Sequence, residues 1–266
     1  MATSDILLRD LDGDGVLCLT LNDTARRNAL SEAMLDALSA AFGEAARDRA
    51  VRVVVLAANG PAFSAGHDLK ELTAARTAPD GGKEVFARIM GKCSALMQAI
   101  VTCPKPVIAR VTGVANAAGC QLVASCDLAL AADSARFSTP GVHIGLFCST
   151  PMVALSRHVS NKHAMEMLLT GDMIPAPRAA EIGLINRSVP EDALEAATHD
   201  MARKIASKSA MTLATGKSAF YAQREMPLAE AYDYASRVMV ENMLARDAEE
   251  GIGAFIEKRA PVWEDG

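Results

Sequence analysis

Two stretches carry residue types and spacings suited to holding negative charge on an oxygen atom. The first is Phe63-Ser64-Ala65-Gly66-His67-Asp68-Leu69-Lys70-Glu71-Leu72. It follows the short, β-branched, apolar run Val51 to Leu56, which reads as a buried parallel strand. Asn59-Gly60-Pro61 breaks that strand, and Gly66 permits backbone geometry that a side chain resists. The second stretch has the same order. Pro106 to Val111 is a strand, Gly113 a turn, and Asn116-Ala117-Ala118-Gly119-Cys120-Gln121-Leu122 a small-residue approach to a helix. A helix start leaves unpaired N–H groups and the positive end of a dipole. Two such loops side by side, at the carboxyl edge of a sheet, supply two N–H donors to one developing oxyanion.

Both stretches, at this separation, resemble the crotonase, or enoyl-CoA hydratase/isomerase, family. Phe63 to Leu72 is similar to the family's F-x-A-G-x-D-[LI]-K-E-[LM] signature, and Gly113 to Asp127 more loosely to its second. The similarity extends from about Leu7 to the carboxyl end. The resemblance implies an α/β fold, a spiral of ββα units with a helical C-terminal trimerisation subdomain. It implies an acyl-CoA thioester as ligand, held by the backbone amides of His67 and Ala118, with coenzyme A as part of the substrate and no separate cofactor. Ala117 and Ala118 stand where the common pattern has two glycines, and alanine serves there provided neither position takes a positive φ.

The resemblance also locates acid–base groups. Hydratases of the family use two glutamates, and the matching positions here hold Gln121 and Gly141. A glutamine amide hydrogen-bonds a water but takes no proton from it at neutral pH, and glycine offers no side chain. His67 is the alternative acid–base group, because an imidazole titrates near neutrality; its other role is a hydrogen-bonded support. Gly66-His67-Asp68 also resembles methylmalonyl-CoA decarboxylase, another family member, which has a tyrosine where this chain has Phe147-Cys148. The run from Ala117 to Asp127 together with Ser138 to Pro151 looks like the mitochondrial enoyl-CoA-hydratase-domain-containing branch, whose members lack the glutamate pair. Three readings stay open. One is an enoyl-CoA hydratase/isomerase with weak hydration or water placed by Gln121. Another is a decarboxylase or thioesterase-like enzyme using His67. The third is an acyl-CoA binding protein without turnover.

Further contacts follow from the same resemblance. The loop ending Arg27-Asn28-Ala29-Leu30 lies against the CoA nucleotide, so Arg26, Arg27 and Ala29 are candidates there; a solvated arginine is the alternative. Ala65, Gly66, Asp68, Leu69 and Lys70 surround the thioester, with Lys70 reaching a phosphate or remaining a surface lysine. Asp68 orients its loop or caps the next helix. His143 and Cys148 lie on the segment that lines the cavity. Phe255 and Lys258 belong to an E-G-x-x-A-F-x-E-K-R-like ending that approaches the CoA of an adjacent subunit, or else they sit at a solvated helix terminus.

The elements that must position these residues follow from pattern. Ile6 to Leu8 and Val16 to Leu21 read as a hairpin around Asp12-Gly13-Asp14-Gly15. Ser31 reads as an N-cap for a helix with Met34, Leu35, Leu38 and Phe42 on one face. Thr73 to Gly82 reads as a mobile segment, and Val85 to Ile100 as a core helix. Leu128 to Ala132 is a strand, and Ala176 to Ile182 a helix stopped by Gly183. From about Asp192 only helical patterns remain, so residues 1–191 form the core spiral and 192–266 the oligomerising helices, as homotrimer or dimer of trimers.

Composition excludes other classes. The 266 residues carry a net charge of −5, which gives no basic field for nucleic acid. Six cysteines lack metal-ligand spacing, so free thiols are expected and no metal. No run approaches transmembrane length, and residues 1–5 show no cationic or apolar leader, so a cytoplasmic protein away from membranes is expected.

Overall fold

A computed structural model describes residues 5–265 of the chain. The N-terminal hairpin forms as expected, with β1 (Leu7–Leu11) antiparallel to β2 (Val16–Leu21). Asp12 closes its turn by accepting from the Asp14 and Val16 amides. Ser31 caps α1 (Glu32–Arg47), accepting from the Met34 amide, and the buried face of α1 includes Met34, Leu35, Leu38 and Phe42.

Three passes of the chain then repeat one course. β3 (Val53–Ala58) is followed by β4 (Ala62–Ser64), α2 (Leu69–Ala75) and α3 (Lys83–Thr102). β5 (Val107–Val111) is followed by β6 (Val114–Asn116) and α4 (Ala118–Ser125). β7 (Leu128–Ala132) is followed by β8 (Arg136–Ser138), a 3-10 turn at Pro140–Ile144, α5 (Pro151–Leu155) and α6 (Asn161–Thr170). Each pass gives its first strand to a six-stranded sheet and its second to a four-stranded one. β9 (Ile174–Pro175), α7 (Ala176–Glu181) and β10 (Arg187–Val189) complete the orders β1-β2-β3-β5-β7-β10 and β4-β6-β8-β9. All pairings are parallel except β1 with β2 and β8 with β9. This is the ββα spiral expected from the sequence. β3 is apolar along its length because both of its faces are covered, and Val53, Val54 and Leu56 are fully buried.

Two expectations change. Thr73 to Gly82 is not an irregular mobile stretch: α2 runs into it, a series of hydrogen-bonded turns follows, and Asp80 accepts from the Gly82 and Glu84 amides to start α3. And α3, at 20 residues, is long and apolar enough to cross a membrane by length and composition. It instead packs on α1, with Ile89, Cys93, Leu96, Met97 and Ile100 buried. Arg88 and Lys92 on its outer side pair with Glu32, and Lys92 also pairs with Asp36.

The remaining chain is helical: α8 (Glu191–Ala206), α9 (Ala210–Gln223), α10 (Leu228–Met243) and α11 (Arg246–Glu257). α8, the first helix after residue 191, lies on β2, β3, β5 and β7. α9 packs on α10, and it is tied back to the core by ionic contacts. Lys217 Nζ sits 2.7 Å from Asp127 and donates to the carbonyls of Ile100 and Lys105, while Tyr221 donates its hydroxyl to Asp127 at 2.9 Å. Asp127 also accepts from the Val107 amide at the start of β5. The Lys217 side chain is only 8% exposed. Asp127→Ala would strand that ammonium, and the expected loss is about 3–5 kcal/mol of unfolding free energy. A urea melt measures it; a change below about 1 kcal/mol would show that water replaces the carboxylate without cost.

Candidate active site

The first motif begins where β4 ends. Gly66 takes φ +87°, and its carbonyl accepts from the Leu30 amide at 2.8 Å. The Ala65 amide donates to the Arg27 carbonyl at 3.0 Å. Asn28 is fully buried, and its amide nitrogen donates to the carbonyls of Asn59 and Ala62, both at 2.8 Å. Arg27 and Asn28 adopt left-handed backbone (φ 53° and 51°) to make this turn. The Arg27 to Leu30 loop is thereby fixed against the motif. Arg26 lies 3.5 Å from Asp68 and Ala29 is buried beside it in the chain, so both stand next to the first motif. Asp68 caps α2, accepting from the Lys70 and Glu71 amides; Leu69 and Lys70 face solvent.

The second motif leaves β6 through Ala117, whose φ and ψ are 47° and −114°. The condition set for alanine at these two positions, that neither take a positive φ, is therefore met at Ala118 and not at Ala117. The Ala117 amide donates to the Ser138 carbonyl at 2.9 Å, and the Ser138 hydroxyl donates to the Asn116 side chain, which hold the residue there. Such geometry costs an alanine about 1–3 kcal/mol, and it turns the chain sharply into α4.

The two motifs touch through their glycines. A Cβ on Gly119 would lie 2.4 Å from the Ser64 carbonyl oxygen. A Cβ on Gly66 would lie 3.0 Å from the Asn116 oxygen and 3.3 Å from the Ala118 nitrogen. Glycine at both positions is what lets the loops meet. Among the described residues, neither the His67 nor the Ala118 amide donates to any acceptor. Two neighbouring loops thus each present a free N–H, that of Ala118 being the first amide of α4, which has no acceptor within the helix.

Four buried side-chain atoms have no partner among the described residues: His67 Nε2 and Gln121 Oε1 in the two motifs, Asn28 Oδ1 in the bracing loop, and the Thr139 hydroxyl. His67 Nδ1 is 3.4 Å from the Leu30 carbonyl, which only accepts, so this contact favours the proton on Nδ1. Nε2 then keeps its lone pair, and it is buried without a partner. Burial lowers the His67 pKa from the ordinary histidine range, with the Leu30 contact opposing, so the ring is neutral at pH 7. Gln121 is 4% exposed and its Oε1 has no partner, and the Thr139 hydroxyl is in the same condition. Gln121 lines a cavity of about 450 Å³ with Met97, Ala124, Val153, His158 and Tyr221. His67 and Ala118 do not line it; Gln121 is one helical turn from Ala118 on α4.

Gly141 is buried and crowded. A Cβ there would stand 2.8 Å from the Leu146 carbonyl oxygen and 3.0 Å from Cys148 Sγ. The Cys148 thiol, raised in pKa by burial, fills the space that a side chain at 141 would occupy. His143 is exposed on the 3-10 turn, its Nε2 2.8 Å from where a Gly171 Cβ would lie, and is not among the cavity residues. Phe255 and Lys258 stand on and just after α11, which packs on α10, and Phe255 is 84% exposed. Tyr221 and His158 were not singled out from sequence. The signal for Tyr221 was Asp127, a carboxylate in an apolar setting that requires partners.

The glycine contact gives a direct test. Gly119→Ala should destabilise the fold by about 1–3 kcal/mol, because main chain rather than a movable side chain blocks the methyl group. Gly91→Ala on the open face of α3, where nothing lies within 4 Å, should stabilise by about 0.5–1 kcal/mol. Denaturant midpoints compare the two; equal shifts would mean that the loops do not press on each other at Gly119.

A family model described as enoyl-CoA hydratase/isomerase matches residues 12–266. Enoyl-CoA hydratase domain-containing protein 3, mitochondrial, of Mus musculus is 49% identical over 250 residues, covering 94% of this chain and 82% of that protein. Among solved structures, an enoyl-CoA hydratase of Mycobacterium smegmatis superposes with a TM-score of 0.93 at 50% identity, covering 98% of this chain and 99% of that one. Human enoyl-CoA hydratase domain-containing protein 3 gives a TM-score of 0.91 at 45% identity, covering 97% and 100%. The mouse protein and its Homo sapiens counterpart are named as mitochondrial, which overturns the cytoplasmic location read from residues 1–5, of which 1–4 lie outside the described residues. With the spiral fold and both motifs in place, the chain belongs to the enoyl-CoA hydratase/isomerase, or crotonase, family.

Proposed function

We propose that this protein binds an acyl-CoA thioester and polarises its carbonyl with the main-chain N–H groups of His67 and Ala118. The observation that carries the reading is the pair of unsatisfied amides on loops held together at Gly66 and Gly119. Each donor to a developing oxyanion is worth roughly 3–4 kcal/mol of transition-state stabilisation. Arg26 and the Arg27 to Ala29 loop border this site and suit the nucleotide end of CoA. Lys70, exposed at the start of α2, suits a phosphate. No cofactor beyond the CoA ester takes part in this reading.

In this reading the protein is hydratase-like in scaffold and departs from the two-carboxylate route. Gln121 orients a water or the acyl group through its free Oε1 but removes no proton. Gly141 cannot be replaced by a glutamate without moving the Leu146 main chain. The group fitted to move a proton is His67 Nε2, buried, neutral and unpartnered. A bare lone pair favours the thioesterase-like form of the second reading, in which Nε2 takes the proton of a water attacking the thioester carbonyl; a decarboxylase would need a proton donor for the enolate.

We further assign oligomer formation, as a trimer or a dimer of trimers, to α9, α10 and α11 rather than to α8, which covers the sheet. Leu228, Leu244 and Phe255 are at least three-quarters exposed there, more apolar surface than a lone chain ordinarily leaves in water. Phe255 and Lys258 would then reach a neighbouring subunit's CoA.

Calorimetry with a short acyl-CoA tests the site: binding is expected, and its absence together with absence of turnover on a thioester panel contradicts the reading. Crotonyl-CoA hydration should be about 10²–10⁴ slower than in a two-glutamate enzyme. Gln121→Glu should not restore it; recovery to the level of such an enzyme would show that one carboxylate suffices in this pocket. On any ester the protein turns over, the rate should fall with acid along a limb lying below about 6.5, since burial lowers the His67 pKa. His67→Gln should remove that limb and cost about 10²–10⁴ in kcat. A limb unchanged by the substitution would make His67 a support for its loop and no more.

A further inference from the structure

The cavity beside Gln121 says something about the far end of the acyl group, given the thioester site just proposed. Ala118, Gln121 and Ser125 share one face of α4, and the latter two line the cavity. A group attached to a carbonyl at the Ala118 N–H would have to lie along this face and pass Gln121 to reach the cavity, which Ala118 itself does not line. Seven residues of helix cover about 10 Å, which an extended chain spans in roughly eight or nine bonds at about 1.2 Å each.

The charged residues around the cavity are Arg157, Arg224 and Glu225. Arg157 Nε lies 3.5 Å from Glu225, so this pair balances. Arg224 has no carboxylate partner among the described residues. Its guanidinium is nevertheless held: it stacks over Phe220 at 5.6 Å and donates to the Arg157 carbonyl at 2.5 Å. Arg157 in turn donates to the Val153 carbonyl at 3.1 Å. Two fixed guanidinium forks against one carboxylate leave a single positive charge with unused donors. His158 beside them stays neutral through burial, reinforced by Arg224, and adds a donor without adding charge. Arg157, Arg224 and Glu225 are solvent-exposed, so they stand at the rim of the cavity, where the end of a chain running through it would meet net positive charge.

We infer that the acyl group accepted by this cavity ends in a carboxylate, received by Arg224 with Arg157 alongside, so that the substrate class is the CoA monothioester of a medium-length dicarboxylic acid. The test compares two CoA esters of equal length, an eight-carbon acyl chain and the same chain with a terminal carboxylate, by calorimetry on the full-length protein. The carboxylate-ended ester should bind about twofold to fivefold more tightly, the gain of an ion pair with exposed guanidinium groups. The preference should shrink as salt is raised. Arg224→Gln should bring the ratio of the two affinities close to one, and Glu225→Gln should increase it, with a thermal melt confirming that each variant is folded. Equal affinities in the unaltered protein, or a ratio that survives Arg224→Gln, overturns the inference while leaving the thioester site in place. If neither ester binds, the thioester site and this inference fall together.

Discussion

The close approach of two main chains, possible because residues 66 and 119 have no side chains, is the constraint on which the rest depends. Gly119 sits over the Ser64 carbonyl, and Gly66 faces the Asn116 carbonyl and the Ala118 nitrogen. The contact joins the ends of β4 and β6, which are neighbours in the small sheet. Parallel pairing of those strands brings the loops to the same edge, and the glycines let them close the remaining distance. Around this contact the molecule spends stability. Ala117 takes a backbone conformation unfavourable to alanine, and Arg27 and Asn28 do likewise in the loop that braces the first motif.

The chemistry follows from what the contact leaves unpaired. Two amides, the His67 Nε2, the Gln121 Oε1 and the Thr139 hydroxyl have no partner within the described protein, although each of the three side-chain atoms is buried. Buried polar atoms without partners cost roughly 1–3 kcal/mol each, so one in each motif, at His67 and Gln121, is a sign of ligand or water. Gln121 offers an amide, and Gly141 is closed in by the Cys148 thiol and the Leu146 carbonyl. Histidine is left as the group with a usable lone pair, inside a scaffold whose relatives are named as hydratases.

Much of this was legible in the residues. The β-branched runs ending in Gly-containing loops, the cap at Ser31 and the cap at Asp68 are local signals, and local signals survive into the fold. The ββα repeat was visible as recurring strand, turn and helix. What could not be read are contacts between distant residues. Asp127 meets Lys217 and Tyr221 ninety or more positions later, and this tie holds α9, which carries Tyr221, beside the cavity. The crowding at Gly141 depends on the path of Leu146 and Cys148, which no pattern specifies. His143 was placed toward the cavity because its neighbours in sequence are, yet the 3-10 turn carries it to the surface. Ala117 shows a different limit: helix propensity describes alanine well inside α4 and says nothing of the residue before it.

Vibrational spectroscopy reads directly whether two backbone N–H groups grip one thioester carbonyl oxygen. An isotope-edited infrared spectrum of an acyl-CoA labelled with ¹³C at the carbonyl, free and bound, isolates the C=O stretch. Binding should shift this stretch to lower frequency, as the two donors draw electron density onto the oxygen. A bound ester whose carbonyl keeps its solution frequency or moves higher, as in a dry pocket without donors, would contradict that grip.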